Sequence, residues 1–133
     1  LSPCDLSSVV SLDTRAYDIP ALMRNLPRGG SGLYRDVFGE DRTSWAKASP
    51  AKHVAEGRPI PPFLLAYTGG DANRELQTKR FARKLRRAGA KARILPATGK
   101  THTGLDQDIG MRGDPISRAV FHFLSWSASL RPS

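Results

Sequence analysis

The stretch from Pro62 to Pro96 constrains the fold more tightly than any other part of the chain. Pro62-Phe63-Leu64-Leu65-Ala66-Tyr67 is a continuous apolar run of strand length, the pattern of a strand buried on both faces. From about Asn73 to Ala88 the pattern turns helical, with Leu76, Phe81, Ala82, Leu85 and Ala88 along one side and basic residues on the other. Gly89 offers a left-handed cap, and Ala92-Arg93-Ile94-Leu95-Pro96 reads as a second strand. A strand, a crossover helix and a strand predict a right-handed βαβ unit with parallel pairing. Both strands then end on the same side of the sheet.

The flanking sequence extends this order. Ser8-Val9-Val10-Ser11-Leu12 reads as a short strand. Asp114 is placed to cap a last helix that has Pro115 at its first position and Ile116, Ala119, Val120, Phe123 and Leu124 at helical spacing. Between the first strand and Pro62 the chain is rich in Gly and Pro, and reads as helix, loop, short helix and an approach to the strand. The expected class is α/β, a mainly parallel sheet with flanking helices. At 133 residues the chain is read as a single domain, without internal repeat or linker.

Charge and composition narrow the function classes. The formal net charge is +9, much of it in Lys79, Arg80, Arg83, Lys84, Arg86 and Arg87 on the central helix. A nucleic-acid binder is one reading of that charge. The segment lacks the interleaved aromatic residues that stack on bases, so a solvated helix face is preferred. No apolar run is long enough for a bilayer span, and the opening residues lack the pattern of a signal peptide. A single cysteine, Cys4, has no internal disulfide partner, and the default compartment is the cytoplasm. The chain opens on Leu1 rather than Met, from which a missing or trimmed beginning is expected.

Two residues at the strand ends carry chemistry. Asp71 follows the strand in Tyr67-Thr68-Gly69-Gly70-Asp71, and His102 follows the next strand in Gly99-Lys100-Thr101-His102. Parallel strands bring both to the carboxyl edge of the sheet, where open α/β sheets place their ligands. A carboxylate and an imidazole there make two thirds of a Ser-His-Asp triad. The nucleophile of one such order sits on a Gly-x-Ser-x-Gly elbow, and the sequence contains none.

Other chemistry is less well supported. Ser31, within Gly29-Gly30-Ser31-Gly32, has no preceding strand to build an elbow, and nothing near Cys4 in sequence activates its thiol. His102, Asp106 and Asp108 miss every zinc spacing, so no metal is expected, and the two acids read as solvent-facing or as the start of a helical turn. His53 is assigned a structural hydrogen bond and His122 a partly buried packing role. Trp45 is expected to anchor a short helix. Asp13 and Asp18 bracket Tyr17 after the first strand.

Taken in order, several segments resemble the C-terminal half of an α/β-hydrolase of the esterase/lipase branch, which includes carboxylesterases and kynurenine formamidase-like enzymes. They are Ala48-Ser49-Pro50-Ala51-Lys52-His53-Val54, Ile60-Pro61-Pro62-Phe63-Leu64-Leu65, Gly69-Gly70-Asp71, Gln77, Phe81, Leu85, Ala88-Gly89 and Gly99-Lys100-Thr101-His102. Val9-Val10-Ser11-Leu12-Asp13 and Ala16-Tyr17-Asp18-Ile19-Pro20 resemble the strand and turn after the nucleophile helix. The resemblance implies Asp71 as triad acid and His102 as base, with Tyr17 near an acyl pocket. It also implies hydrolysis of a small carboxylic ester, or an aryl formamide, with no cofactor.

The oxyanion loop and the nucleophile elbow of the resembled enzymes precede the matched part. Residues 1–133 are therefore expected to form one incomplete domain, inactive alone, that supplies acid and base. The alternatives are a non-catalytic relative that binds a companion chain or itself through an exposed sheet edge, and the basic nucleic-acid binder. Without the early strands, Val9, Val10, Phe63, Leu64 and Leu65 are expected to be exposed and the isolated chain to aggregate or swap.

Overall fold

A computed structural model describes residues 6–27 and 32–130. Cys4 and Ser31, considered above as nucleophiles, lie outside the described residues. Three strands, β1 (Val9–Leu12), β2 (Phe63–Thr68) and β3 (Ala92–Ala97), form a sheet in the order β1-β2-β3. Both pairs are parallel: Val9 stands opposite Phe63 and Leu12 opposite Ala66, while Phe63 stands opposite Ala92 and Thr68 opposite Ala97. Pro96, which has no N–H to donate, is accommodated because β3 pairs on one side only among the described residues.

Six helices accompany the sheet among the described residues: α1 (Ile19–Asn25), α2 (Gly32–Phe38), α3 (Arg42–Ala48), α4 (Ala72–Arg87), α5 (His102–Asp108) and α6 (Pro115–Ala128). A 3-10 turn at Pro50–Lys52 follows α3. The predicted strands, the crossover helix and the last helix are all present. Helix α2 and helix α5 are additions to the sequence reading.

The central helix is phased differently from its apolar count. Its buried stripe runs Arg74, Gln77, Thr78, Phe81, Ala82, Leu85, at intervals of three and four, while Leu76 lies off the stripe and is exposed. The polar members of the stripe have uses. Gln77 donates from Nε2 to the Asp18 carbonyl and accepts the Asp18 N–H at Oε1, both at 2.9 Å, which fastens the start of α1 to α4. At the other end Arg86 donates from Nε and Nη2 to the Ala92 carbonyl, closing the helix onto β3. Arg86 is thus a structural tie as well as a surface charge, whereas Arg80, Arg83, Lys84 and Arg87 are exposed.

The core lies on both faces of β2. Tyr17, Leu65, Phe81, Ala82, Leu85, Ala90 and Ala92 pack on one face, with Tyr17 stacked on Phe81 at 4.5 Å between ring centroids. Leu64, Ala97, Leu105, Ile116, Val120 and Phe123 pack on the other. The expected exposure of Leu64 and Leu65 is corrected: both are buried, because β2 is the middle strand and is covered from both sides. Val9, Val10 and Phe63 are half-buried. His122 is exposed rather than packed, since the buried face of α6 runs through Ile116, Val120 and Phe123. Trp45 does anchor its helix, donating from Nε1 to the Gly39 carbonyl at 2.8 Å, and His53 Nε2 bonds the Lys47 carbonyl at 2.6 Å.

Candidate active site

The three parallel strands end together, and each is followed within a few residues by an ionisable side chain: Asp13 after β1, Asp71 after β2 and His102 after β3. Their backbones differ in kind. Asp71 and Thr101 are extended N-cap residues, and His102 opens α5. Asp13 instead has a φ of +55°, in the left-handed region that a non-glycine residue seldom occupies. Its N–H still donates to the Ala66 carbonyl at 2.8 Å, so the strand ladder runs up to this residue and then turns sharply.

Asp13 and His102 meet at this edge. Nδ1 of His102 lies 2.8 Å from Oδ2 of Asp13. The carboxylate is buried and is held by Thr68 and Arg74: the Thr68 N–H donates to Oδ1 at 2.6 Å, the single Thr68 hydroxyl proton is shared between Oδ1 and Oδ2 at 2.9 and 2.8 Å, and Nη1 of Arg74 forms an ion pair with Oδ2 at 3.0 Å. Burial alone would raise the Asp13 pKa. The Thr68 backbone and hydroxyl donors, His102 and the Arg74 charge outweigh that and hold it below the ordinary carboxylate value. Asp13 is therefore an anion at neutral pH and can only accept, so the proton on the shared edge belongs to Nδ1 of the imidazole.

In the neutral imidazole a proton at Nδ1 leaves the lone pair on Nε2. The His102 side chain is 57% exposed, and Nε2 has no hydrogen bond among the described residues, with Asp106 Oδ2 at 4.0 Å. An imidazole aimed by a carboxylate on one nitrogen and open to solvent on the other can take a proton from a hydroxyl or a water and return it. Asp106 and Asp108, expected to face solvent or begin a helical turn, lie instead in the last turn of α5, with Asp106 exposed and Asp108 bonded to Lys100 at 2.5 Å.

Asp71 is engaged elsewhere. Its Oδ1 accepts the N–H groups of Asn73 at 3.0 Å and Arg74 at 3.2 Å, capping α4, and its Oδ2 pairs with Arg15. No hydrogen bond or ion pair joins Asp71 to His102. The sequence places both at the same sheet edge, and the structure brings His102 onto Asp13. The Gly-Gly-Asp pattern after β2 points to Asp71, and nothing in the sequence joins His102 to Asp13, 89 positions away. The one local cue was an acid directly after a strand.

Beside the site, Tyr17 is buried, its hydroxyl bonded to the Ser11 hydroxyl at 2.7 Å, and burial pushes its phenol pKa up. Its ring packs on Phe81 and also borders an open apolar cavity of about 660 Å³ whose lining includes Val9, Pro50, Ile60, Phe63 and Leu85. Among the described residues no helix is long and apolar enough to cross a membrane. Nor does any group of three or more His, Cys, Asp or Glu side chains stand together as a metal site.

Comparison with known proteins gives a consistent fold. A mutant of the esterase rPPE superposes with a TM-score of 0.56 and 19% identity, over 95% of this chain and 42% of that one. The thermophilic esterase Est2 of the planctomycete Thermogutta terrifontis, with propionate bound, gives 0.50 and 19% over 96% and 45%. The arrangement of parallel sheet and helices is thus α/β-hydrolase-like. In sequence, the chain is 36% identical over 94 residues to the probable isoprenylcysteine alpha-carbonyl methylesterase ICMEL1 of Arabidopsis thaliana, a match covering 62% of this chain and 19% of that protein. The chain spans less than half the length of each of these proteins. No protein-family model matches it.

Proposed function

We propose that these residues form the acid-and-base part of a carboxylic-ester hydrolase of the serine type. The observation that carries the reading is the His102 imidazole, held at Nδ1 by a buried carboxylate and open at Nε2, at the carboxyl edge of a parallel sheet. In such an enzyme Nε2 takes the proton of the nucleophilic hydroxyl as it attacks the ester carbonyl, and then delivers it to the departing alkoxide. Water repeats the sequence against the acyl-enzyme. The imidazolium formed in each half is stabilised by the carboxylate behind it. Asp71, which the sequence pattern puts in the role of acid, and Asp13, which lies on Nδ1, are the two carboxylates available.

The serine and the oxyanion donors are assigned to polypeptide outside these 133 residues, since the sequence holds no Gly-x-Ser-x-Gly elbow. Support for the ester class comes from the ICMEL1 likeness, a protein named as a methylesterase, and from the shared fold with two esterases, one of them with propionate bound. A small carboxylic ester is the substrate proposed. The test is intact mass spectrometry of the whole encoded polypeptide before and after a fluorophosphonate probe, with hydrolysis of p-nitrophenyl acetate measured alongside. A single adduct on a serine outside this segment, lost together with hydrolysis in H102A, is expected. No adduct and no hydrolysis would refute the reading.

One observation favours a second reading. Strand β1 pairs only with β2 among the described residues, leaving its outer edge open beside the apolar cavity. A companion polypeptide or a second copy adding a strand there would make the chain a binding module. A monomer at high concentration that gains no partner would count against it.

A further inference from the structure

We propose that Asp13, on the turn after β1, is the positioning residue that orients His102 for proton transfer, and that Asp71 instead secures the helix that holds Asp13 in place. This rests on the ester-hydrolase reading and says which carboxylate serves it. Three features lead to Asp13. Its Oδ2 lies 2.8 Å from Nδ1 of His102, within ordinary hydrogen-bond range. Both of its oxygens are fixed by donors from β2 and α4, so the carboxylate has one direction left in which to act. Its backbone occupies a left-handed conformation at a non-glycine residue, a cost kept where surrounding structure imposes it and commonly found at functional sites.

Asp71 has neither freedom nor proximity of this sort. Capping α4 takes one oxygen and Arg15 the other, so a move to His102 would release two N–H groups and a guanidinium. What Asp71 does reach is the start of α4, which delivers Arg74 both to Asp13 and to Thr68 Oγ1, the latter at 2.8 Å. The chain of dependence runs from the Asp71 cap through α4 and Arg74 to Asp13, and from Asp13 to the imidazole. Among the described residues the other charged group near His102 is Asp106, on α5 itself.

The experiment is proton NMR of the full encoded polypeptide. A low-field Nδ1 proton of His102 with a nuclear Overhauser contact to the Asp13 methylene is expected. The same proton should persist in D71N and vanish in D13N. In D13N kcat for p-nitrophenyl acetate should fall about 10³–10⁴-fold, with KM within about threefold, because the tautomer rather than substrate binding is lost. The contact in the unsubstituted protein reads the assignment even if D13N fails to fold. A contact to Asp71 in an active polypeptide overturns the assignment and leaves the hydrolase reading intact. A contact to Asp13 in a polypeptide that neither labels nor hydrolyses overturns the hydrolase reading, and with it the role given to Asp13.

Discussion

Lys100 Nζ stands 2.7 Å from Oδ1 of Asp114 and thereby ties the turn after β3 to the first turn of α6. The same ammonium bonds Asp108 at the end of α5, so one cation holds both ends of the segment that carries His102. Asp114 also accepts the Ser117 N–H at 2.6 Å and its hydroxyl at 2.7 Å, capping α6. The Ser117 hydroxyl in turn accepts the Gly110 N–H at 2.7 Å.

Replacing this cation should loosen α5 without unfolding the sheet. In K100M the amide of Gly110 is expected to exchange with solvent at least about tenfold faster, while the amides of β2 keep their protection, because local opening then costs less than global unfolding. Hydrogen exchange followed by NMR separates the two. Equal acceleration across the chain would show that the lysine acts globally.

Acid should destabilise the fold through two of these carboxylates. Lys100 and the Ser117 donors pull the Asp114 pKa from 3.8 to about 2, and Asp13 is also held below its ordinary value. A carboxylate with a lower pKa in the folded chain binds fewer protons there than in the unfolded chain. Its stabilisation is therefore complete above the unfolded value and drains away as the pH falls through the folded one. Urea midpoints should be nearly flat from about pH 7 down to about pH 5 and should decline steadily toward about pH 2. D114N should shallow that decline. A midpoint independent of pH over this range would contradict the assignment.

Leu105 fixes the helix that presents His102. It is fully buried against the cluster of Leu64, Ile116, Val120 and Phe123, three residues after the histidine. L105A should lower stability by about 2–5 kcal/mol, the usual cost of such a cavity. Denaturant midpoints measure this, and the imidazole signal should broaden as α5 loses its anchor.

Gly89 ends α4 at a φ of +87°, with its N–H donated to the Arg86 carbonyl at 3.0 Å and the following Ala90 N–H to Leu85 at 2.9 Å. An added Cβ meets open space, so the penalty of G89A is conformational alone. It should come to about 1–2 kcal/mol by thermal or chemical denaturation. A neutral result would mean the turn relaxes to another cap.

The βαβ unit was legible because its signals are local: an apolar run in β2, helical spacing in α4, and Gly89 as the stop. The cap of α6 was equally plain in Asp114-Pro115. The phase of α4 was not, because its buried face includes Arg74, Gln77 and Thr78, whose partners lie in distant segments. Helix α5 was hidden for a related reason. A single buried leucine, Leu105, and a threonine cap are its local signals, too little periodicity to distinguish it from a loop. The sequence reading gathered strand-end acids and a histidine at one edge. It assigned the acid to Asp71 and did not consider Asp13, whose contact with His102 turns on one left-handed backbone angle and spans 89 positions.

The ion pair between Asp13 and Arg74 has a consequence for how the two positions tolerate substitution. Both side chains are buried, at 0% and 10% exposure, so losing either alone strands a charge out of water, at about 3–5 kcal/mol. Glycine at position 13 would relieve the backbone, yet it would leave the guanidinium without its counter-ion, bonded only to the Thr68 hydroxyl. Removing both charges together should therefore cost less stability than removing either alone, a difference that a double-mutant cycle would read.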